Sequence, residues 1–341
     1  MEIVRHYTDI PPVARGAAVA LGNFDGVHLG HRAVIADAVA AAKRLGAPSA
    51  VMTFEPHPRR FFQPDGAPFE LTPGEKKARH IAALGVDVLF LIPFDADFAA
   101  IPAENFVSDV LAGGLGVRHV IAGYNFVFGK GRGGDFGLLE TLGEKNGFGV
   151  SVVSEVSGEE TEGAAFSSTL VRNRLRDGQV REAAALLGRA WEVEGEVMHG
   201  DERGRQIGFP TANVNPEGYL MPSLGVYAVW VGIVEDGAGG GGGKTDWHPG
   251  VVNVGRRPTF DGEGVTVEAN IFDFEGDLYG RTLRVAFADF IRPELKFDGI
   301  DAIRAQIATD CEAARTLLAG LAPGDLCAPP ADDALIAAAL R

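Results

Sequence analysis

The feature that most constrains this fold is a change of hydrophobic rhythm at Leu186-Leu187-Gly188-Arg189. Before it, short apolar runs at 19–21, 50–54, 86–94, 119–122 and 150–153 read as buried strands. Between them, Val34, Ile35, Ala38, Val39, Ala42 and Leu45 share one helical face, and 73–84 and 103–111 read as further helices. Strand and helix in alternation predict an α/β domain whose mostly parallel sheet is covered on both faces. After Trp191 the apolar runs at 192–199, 226–234, 250–254, 265–274 and 282–291 follow one another with only Gly, Pro and Asp between them. That spacing predicts an antiparallel barrel or sandwich. A helix closes it, with Ile300, Ile303, Ile307, Cys311, Ala314 and Leu318 recurring on one face. The glycine-rich run 237–243 lacks a following helix with Lys and Ser/Thr, so it reads as a loose loop between strands. The tail 329–341 is poorly specified.

Length allows this division, because 341 residues can bury two cores. A net charge of −15 argues against a broad nucleic-acid or anionic-membrane surface. Anionic ligands then depend on local arrangements of helix N-termini, histidines, a few arginines and a metal ion. Residues 1–9 lack the apolar core of a leader peptide, and no run is long enough to span a bilayer. Cys311 and Cys327 are too few for a disulfide framework or a cysteine metal site. These observations predict a soluble, cytoplasmic protein.

The strand at 19–21 runs into Gly22-Asn23-Phe24-Asp25-Gly26-Val27-His28-Leu29-Gly30-His31, with a helix expected to open at the second histidine. A glycine-rich turn into a helix gathers unpaired N–H groups and the positive helix end, where a polyphosphate can sit. His28 and His31, three residues apart, fall one turn along one face and can both donate to phosphate oxygens. In parallel sheets, ligands bind beyond the carboxyl ends of the strands, where this turn falls. Capping or core histidines are the plainer alternative.

Three more segments accompany it. Thr53-Phe54-Glu55-Pro56-His57-Pro58-Arg59 has its backbone held extended by two prolines, as a rigid crossover or a ligand contact. In Gly123-Tyr124-Asn125-Phe126-Val127-Phe128-Gly129-Lys130-Gly131-Arg132 the phenylalanines suit a core, while Asn125 suits the edge of a base or flavin. Ser167-Ser168-Thr169-Leu170-Val171-Arg172 opens a helix, and its hydroxyls with the arginine suit either a cap or a triphosphate.

G-x-F-D-G-x-H-x-G-H with S-S-T-x-x-R resembles the signature pair of nucleotidylyltransferases, whose domain is a Rossmann-like parallel sheet. With F-E-P-H-P-R and G-x-N-F-x-F-G-K-G-R, the first half is similar to the adenylyltransferase module of bacterial bifunctional riboflavin kinase/FAD synthetases. The resemblance implies transfer of AMP from ATP to FMN with release of pyrophosphate. It implies ATP contacts from Gly22, Phe24, Asp25, Gly26, His28, His31, Ser168, Thr169 and Arg172, with both histidines catalytic and Asn125 binding substrate. Asn125 stands where many relatives carry aspartate.

The second half carries Gly204-Arg205-Gln206-Ile207-Gly208-Phe209-Pro210-Thr211-Ala212-Asn213. Read alone it is a turn, although Thr211 and Asn213, two apart in extended chain, turn hard oxygens to one side as magnesium prefers. It matches the G-x-P-T-A-N motif of riboflavin kinases. Leu220–Tyr227, Val252–Thr259, Val267-Glu268, Phe272–Phe274, Asp277–Gly280 and Phe290–Phe297 follow in family order. The resemblance, spanning about 15–320, implies a six-stranded antiparallel barrel that phosphorylates the ribityl 5′-hydroxyl of riboflavin from MgATP. It implies Glu268 as general base, Gly208, Pro210, Thr211 and Asn213 at the phosphates, Thr211 and Asn213 also at Mg2+, and Arg292 at substrate. Asn270, where many members carry histidine, and the 237–243 insertion are expected at the periphery of the site.

The expected division is 1–186 for the adenylyltransferase, 187–325 for the kinase and 326–341 for a tail. Small flavins and ATP are the expected partners of a monomer or weak homo-oligomer, with neither nucleic acid nor membrane. Two alternatives differ in class. A nucleotidylyltransferase acting on another phosphorylated acceptor has no use for the segments at 204–297. A catalytically inactive flavin-binding regulator has no use for a base and magnesium ligands.

Overall fold

In the computed structural model, residues 1–158, 161, 163–199, 204, 208–235, 245–259, 262–322 and 324 are described. The described residues form two compact units, one within 1–67 and 72–167, the other within 68–71 and 168–324.

The first unit is a six-stranded, wholly parallel sheet. Its strands are β1 (Glu2–Val4), β2 (Ala18–Leu21), β3 (Ser49–Glu55), β4 (Val88–Pro93), β5 (His119–Gly123) and β6 (Gly149–Val153). They lie in the order β1-β4-β3-β2-β5-β6. All of β2 is buried because alternate residues enter different cores. Ala18 and Ala20 pack with Val34, Ile35 and Ala38 of α1 (Leu29–Leu45), whereas Val19 and Leu21 pack with Phe106, Val107 and Val110. Four short helices intervene: α2 (Pro58–Phe62), α3 (Lys76–Ala82), α4 (Ala96–Ala99) and α5 (Ala103–Asn105). α6 (Phe136–Asn146) precedes β6.

Several elements differ from expectation. α1 opens at Leu29, before the second histidine, because His28 is its N-cap: its ring nitrogen accepts from His31 N–H. The helix expected at 73–84 is confined to α3. That expected at 103–111 continues from α5 as a π-helix, Phe106–Leu115. Its buried Phe106, Val107, Val110 and Leu111 recur at four-residue steps, and the five-residue step from Val110 to Leu115 is wider than an α-helix presents. β1 has three residues with Glu2 exposed, too short to show alternation.

The second unit begins its helical part with α7 (Ser168–Arg176) and α8 (Val180–Leu187). A closed antiparallel barrel follows: β7 (Glu192–Met198), β8 (Ala212–Val214), β9 (Gly225–Val234), β10 (Thr245–Thr259), β11 (Gly262–Ile271) and β12 (Thr282–Arg292). Their order is β10-β11-β8-β7-β12-β9. β8 is the strand that periodicity did not show; it overlaps the end of the P-T-A-N segment and is only three residues long. Trp191, Tyr227 and Phe287 fill the barrel, with ring centroids 5.0 Å and 5.2 Å apart about Phe287. α9 (Ile300–Leu318) lays Ala314 and Leu318 on Val226, Ala228 and Val251. Ile300, expected on that buried face, is instead 66% exposed at the first turn. The 237–243 loop and the 329–341 tail lie outside the described residues.

Candidate active sites

In the first unit, the segment after β2 is tied down by groups that the motif does not contain. Thr53 Oγ1 donates to the Asn23 carbonyl at 2.9 Å. Thr72 N–H donates to Asp25 Oδ1 at 3.0 Å, and Thr72 Oγ1 accepts from Gly26 N–H at 2.9 Å. Asp25, expected at ATP, is therefore 2% exposed and engaged with backbone. These clamps hold Phe24 and Val27 at φ +48° and +46°, a region that side chains, above all β-branched ones, rarely occupy. Such strain persists only where surroundings enforce it, and it gathers at ligand-binding turns.

The strained turn sets the two imidazoles face to face, with ring centroids 3.6 Å apart and planes at 22°. Phe24 meets His31 edge-on at 5.2 Å. A Cβ at Gly30 would stand 3.2 Å from the His28 ring, so that ring would have to give by a few tenths of an ångström. His28 Nδ1 accepts from His31 N–H at 3.3 Å, so the neutral ring carries its proton on Nε2 as a donor. Both imidazoles thus stand at an α-helix N-terminus, whose dipole favours anions.

Around the carboxyl ends of β3 and β4, the rings of Phe54, Phe61, Phe62 and Phe98 lie 5.5–5.9 Å from that of Phe94. Phe62 is 65% exposed, an aromatic face open to a flat ligand. Lys77 is fully buried, with its Nζ 4.0 Å from Glu55 Oε2, and among the described residues neither atom makes a hydrogen bond. Burial pushes the Glu55 carboxyl up, Lys77 opposes that shift, and Glu75 and Asp25 add to it. His57 caps α2 through the Arg59 N–H. Asn125 is exposed beyond β5, while Phe128 is buried and stacks on Phe126 at 5.8 Å. Ser168, Thr169 and Arg172 belong to the second unit, in the first turns of α7, where Arg172 Nε donates to the Phe69 carbonyl at 2.8 Å.

In the barrel, strand register assembles one row of side chains. Asn213 of β8 stands opposite Glu268 of β11, Glu268 opposite Asn253 of β10, Asn253 opposite Val226 of β9, and Val226 opposite Arg292 of β12. Directly opposed residues share a face, and Val226 faces α9, so the row does too. Glu268, Asn253 and Arg292 thereby line a cavity of about 590 Å³ between the strands and α9. Thr211 joins them, and Phe209, Leu295, Phe297, Ile303 and Ile307 make the apolar walls. Asn270, expected at the periphery, lines the same cavity and donates to the Pro210 carbonyl at 2.7 Å, fixing the turn before Thr211. Gly208, at φ +87°, lets that turn reverse and lies outside the lining.

Arg292 is held by Asp310 of α9 through bonds of 2.6–3.1 Å. Sequence reasoning missed Asn253 and Asp310. Each had a signal: a lone amide within Val251-Val252-Asn253-Val254, and a carboxylate beside the apolar stripe of α9. Among the described residues no group of three His, Cys, Asp or Glu can hold a metal ion by itself.

A family model described as FAD synthetase matches residues 10–170, and one described as riboflavin kinase matches residues 187–318. The chain is 41% identical over 320 residues to the bifunctional riboflavin kinase/FMN adenylyltransferase of Pseudomonas fluorescens, covering 94% of this chain and 98% of that one. A protein of the same description from Listeria monocytogenes is 38% identical over 318 residues, covering 92% and 95%. Among solved structures, one from Streptococcus pneumoniae, described as a macrolide-efflux protein, matches with a TM-score of 0.78 and 32% identity over 92% of this chain and 98% of that one. Among the described residues no helix is long and apolar enough to cross a membrane. Transfer of a phosphoryl group from ATP to riboflavin and of AMP from ATP to FMN are both activities of this chain, which belongs to the bifunctional riboflavin kinase/FMN adenylyltransferase family.

Proposed function

We propose that the two transfers run at separate sites, with the residues of the barrel row and of the strained turn in defined roles. The observation that carries this reading is Glu268, set by register between Asn213 and Asn253, with Glu268 and Asn253 lining a cavity that has apolar walls. An alcohol is a poor nucleophile at neutral pH. Glu268 accepts the ribityl 5′-hydroxyl proton as that oxygen bonds to the γ-phosphorus and ADP departs. Thr211 and Asn213 are neutral oxygen donors of the kind Mg2+ takes alongside substrate phosphates, and they fit that ion better than a carboxylate cage would. When bound with ATP, Mg2+ supplies charge neutralisation at the phosphates. Arg292 contributes a fixed cation at the same anionic group, and the ring system of riboflavin lies along Phe209, Leu295 and Phe297.

At the parallel sheet, an FMN phosphate oxygen attacks the α-phosphorus of ATP, the bond to the β-phosphate oxygen breaks, and pyrophosphate leaves. No covalent intermediate on the protein is required. His28 and His31 donate to the phosphates as charge develops on the leaving group, and the clamped turn keeps them in place. Ser168, Thr169 and Arg172 keep the triphosphate role that the resemblance implies, Asn125 that of a substrate contact. The open face of Phe62 suits the flavin ring. A cytoplasmic location belongs to the same reading.

The test supplies riboflavin or FMN separately with MgATP and separates the products by chromatography. Glu268→Gln should lose FMN formation by about 10²–10⁴-fold and still convert added FMN to FAD. His28→Ala with His31→Ala should do the reverse. Parallel loss of both activities in folded variants would refute the division of roles.

A further inference from the structure

Asp310 is 3% exposed, a carboxylate beside the apolar stripe by which α9 packs on the barrel. Its oxygens accept from Arg292 Nε at 2.9 Å and 3.1 Å, from Arg292 Nη2 at 2.6 Å and from Gln306 Nε2 at 2.9 Å. Arg292 Nη1 donates to the Pro293 carbonyl at 2.9 Å, and the guanidinium lies 5.8 Å from the Phe297 ring centre. A guanidinium has five N–H groups. Among the described residues three are engaged in this way, which leaves one on each terminal nitrogen.

Helix docking alone does not call for this arrangement. A buried ion pair is seldom more stabilising than apolar groups of equal volume, so its usefulness lies in fixing geometry. The cavity explains why geometry matters here. Among its described lining residues Arg292 is the sole Lys or Arg, against the carboxylates Glu268, Glu294 and Asp310. An arginine loose on its flexible stem gives up rotamer freedom each time it meets an anion, whereas one already clamped does not.

We propose that Asp310, assisted by Gln306, is a positioning residue for riboflavin phosphorylation: it clamps Arg292 so that the two remaining terminal N–H groups meet the transferring phosphoryl group. The inference rests on Arg292 contacting substrate, and the test separates the two ideas.

The experiment is a double-mutant cycle in the full chain with Asp310→Asn, Arg292→Met and both together. Kinase kcat/KM is read against FMN adenylyltransferase activity of the same preparation. Asp310→Asn should lower kinase kcat/KM by about 10–100-fold, the usual range for a hydrogen bond to a charged group, with adenylyltransferase unchanged. In the Arg292→Met background the same change should cost no more than about twofold, because a residue acting through another has nothing left to act on. A full loss in that background would mean that Asp310 serves α9 alone, and the proposal fails. Wild-type kinase activity in Asp310→Asn also defeats it, while wild-type activity in Arg292→Met defeats the reading of Arg292 and the proposal with it. Should Asp310→Asn not fold, Gln306→Leu keeps the carboxylate and removes one restraint. It should cost about threefold with Arg292 present and nothing without it, and any other pattern overturns the proposal.

Discussion

Replacing Gly225 by alanine strikes the kinase site through the backbone, without touching a side chain of the cavity. Gly225 opens β9 at φ +154°, and a Cβ built there would stand 2.4 Å from the Arg292 carbonyl oxygen and 3.2 Å from Pro293 Cα. Carbon and carbonyl oxygen approach to about 3.3 Å, so the Arg292–Pro293 backbone has to retreat by roughly 0.9 Å. Backbone strain of about 1–3 kcal/mol and overpacking of about 1–3 kcal/mol give a loss of about 2–6 kcal/mol. That is a large share of the roughly 5–15 kcal/mol that folded domains possess. A misplacement of about 1 Å near a reacting group costs on the order of 10² in rate, so kinase kcat/KM should fall by about that factor. Gly320 is the control within the same unit, with φ +78° and nothing within 4 Å of its Cβ position. Gly320→Ala should cost only about 1 kcal/mol of backbone strain and leave the kinase intact. Thermal unfolding and both activities are measured on each variant. If Gly225→Ala matches Gly320→Ala in melting temperature and in kinase kcat/KM, the reasoning from backbone contact is wrong.

Glu192 and Arg284 join β7 to β12 by contacts of 2.8–3.2 Å with side chains 7% and 18% exposed. Glu192→Ala should lower stability by about 3–5 kcal/mol in urea unfolding, and Glu192→Leu with Arg284→Met should recover much of it. A loss below about 1 kcal/mol for Glu192→Ala would show the pair to be inconsequential. Lys77→Met removes the cation that opposes the upward shift of Glu55. For a carboxyl raised in the native state, the cost of ionising it is absent below its unfolded pKa and complete above its folded one. Removing Lys77 raises the folded value further, so the destabilisation should be small in acid and grow toward neutral pH in thermal melts. A penalty that shrinks with rising pH contradicts that assignment, and Glu55→Gln added to Lys77→Met should flatten the profile.

The first site was legible wherever its residues are contiguous. The segment 22–31 declared a strand, a turn and a helix because glycines and histidines sit at fixed offsets within ten residues. Its enforcing groups were not legible, because Thr53 and Thr72 reach the turn from 30 and 46 residues away. The exact helix start was missed for a local reason: His28 was read as a phosphate ligand, although its ring also serves as the N-cap. The π-helix escaped because its apolar steps of four and five mimic an α-helix over the first two turns.

The barrel site was legible only by family pattern, and register shows why. Glu268, Asn253 and Arg292 are far apart in sequence and become neighbours only through strand pairing. Arg292 needs more than pairing. Leu283 faces Ile233 and Phe287 faces Val229, but slips between Phe287 and Asp289 and between Phe290 and Arg292 shift the later partners. Carried on without slips, the register would set Phe290 opposite Val226, filling the cavity wall with an aromatic ring. The two irregularities advance the strand so that a guanidinium takes that place, a use of bulges to re-aim a side chain beside a site. Arg292 arrives at the last position of β12, where the ladder ends and a side chain is least restrained by its neighbours. A carboxylate from α9 supplies the restraint that the strand no longer does, from a buried position beside the helix's apolar stripe. Bulge and ion pair are thus successive steps of a single placement, and neither follows from an apolar periodicity.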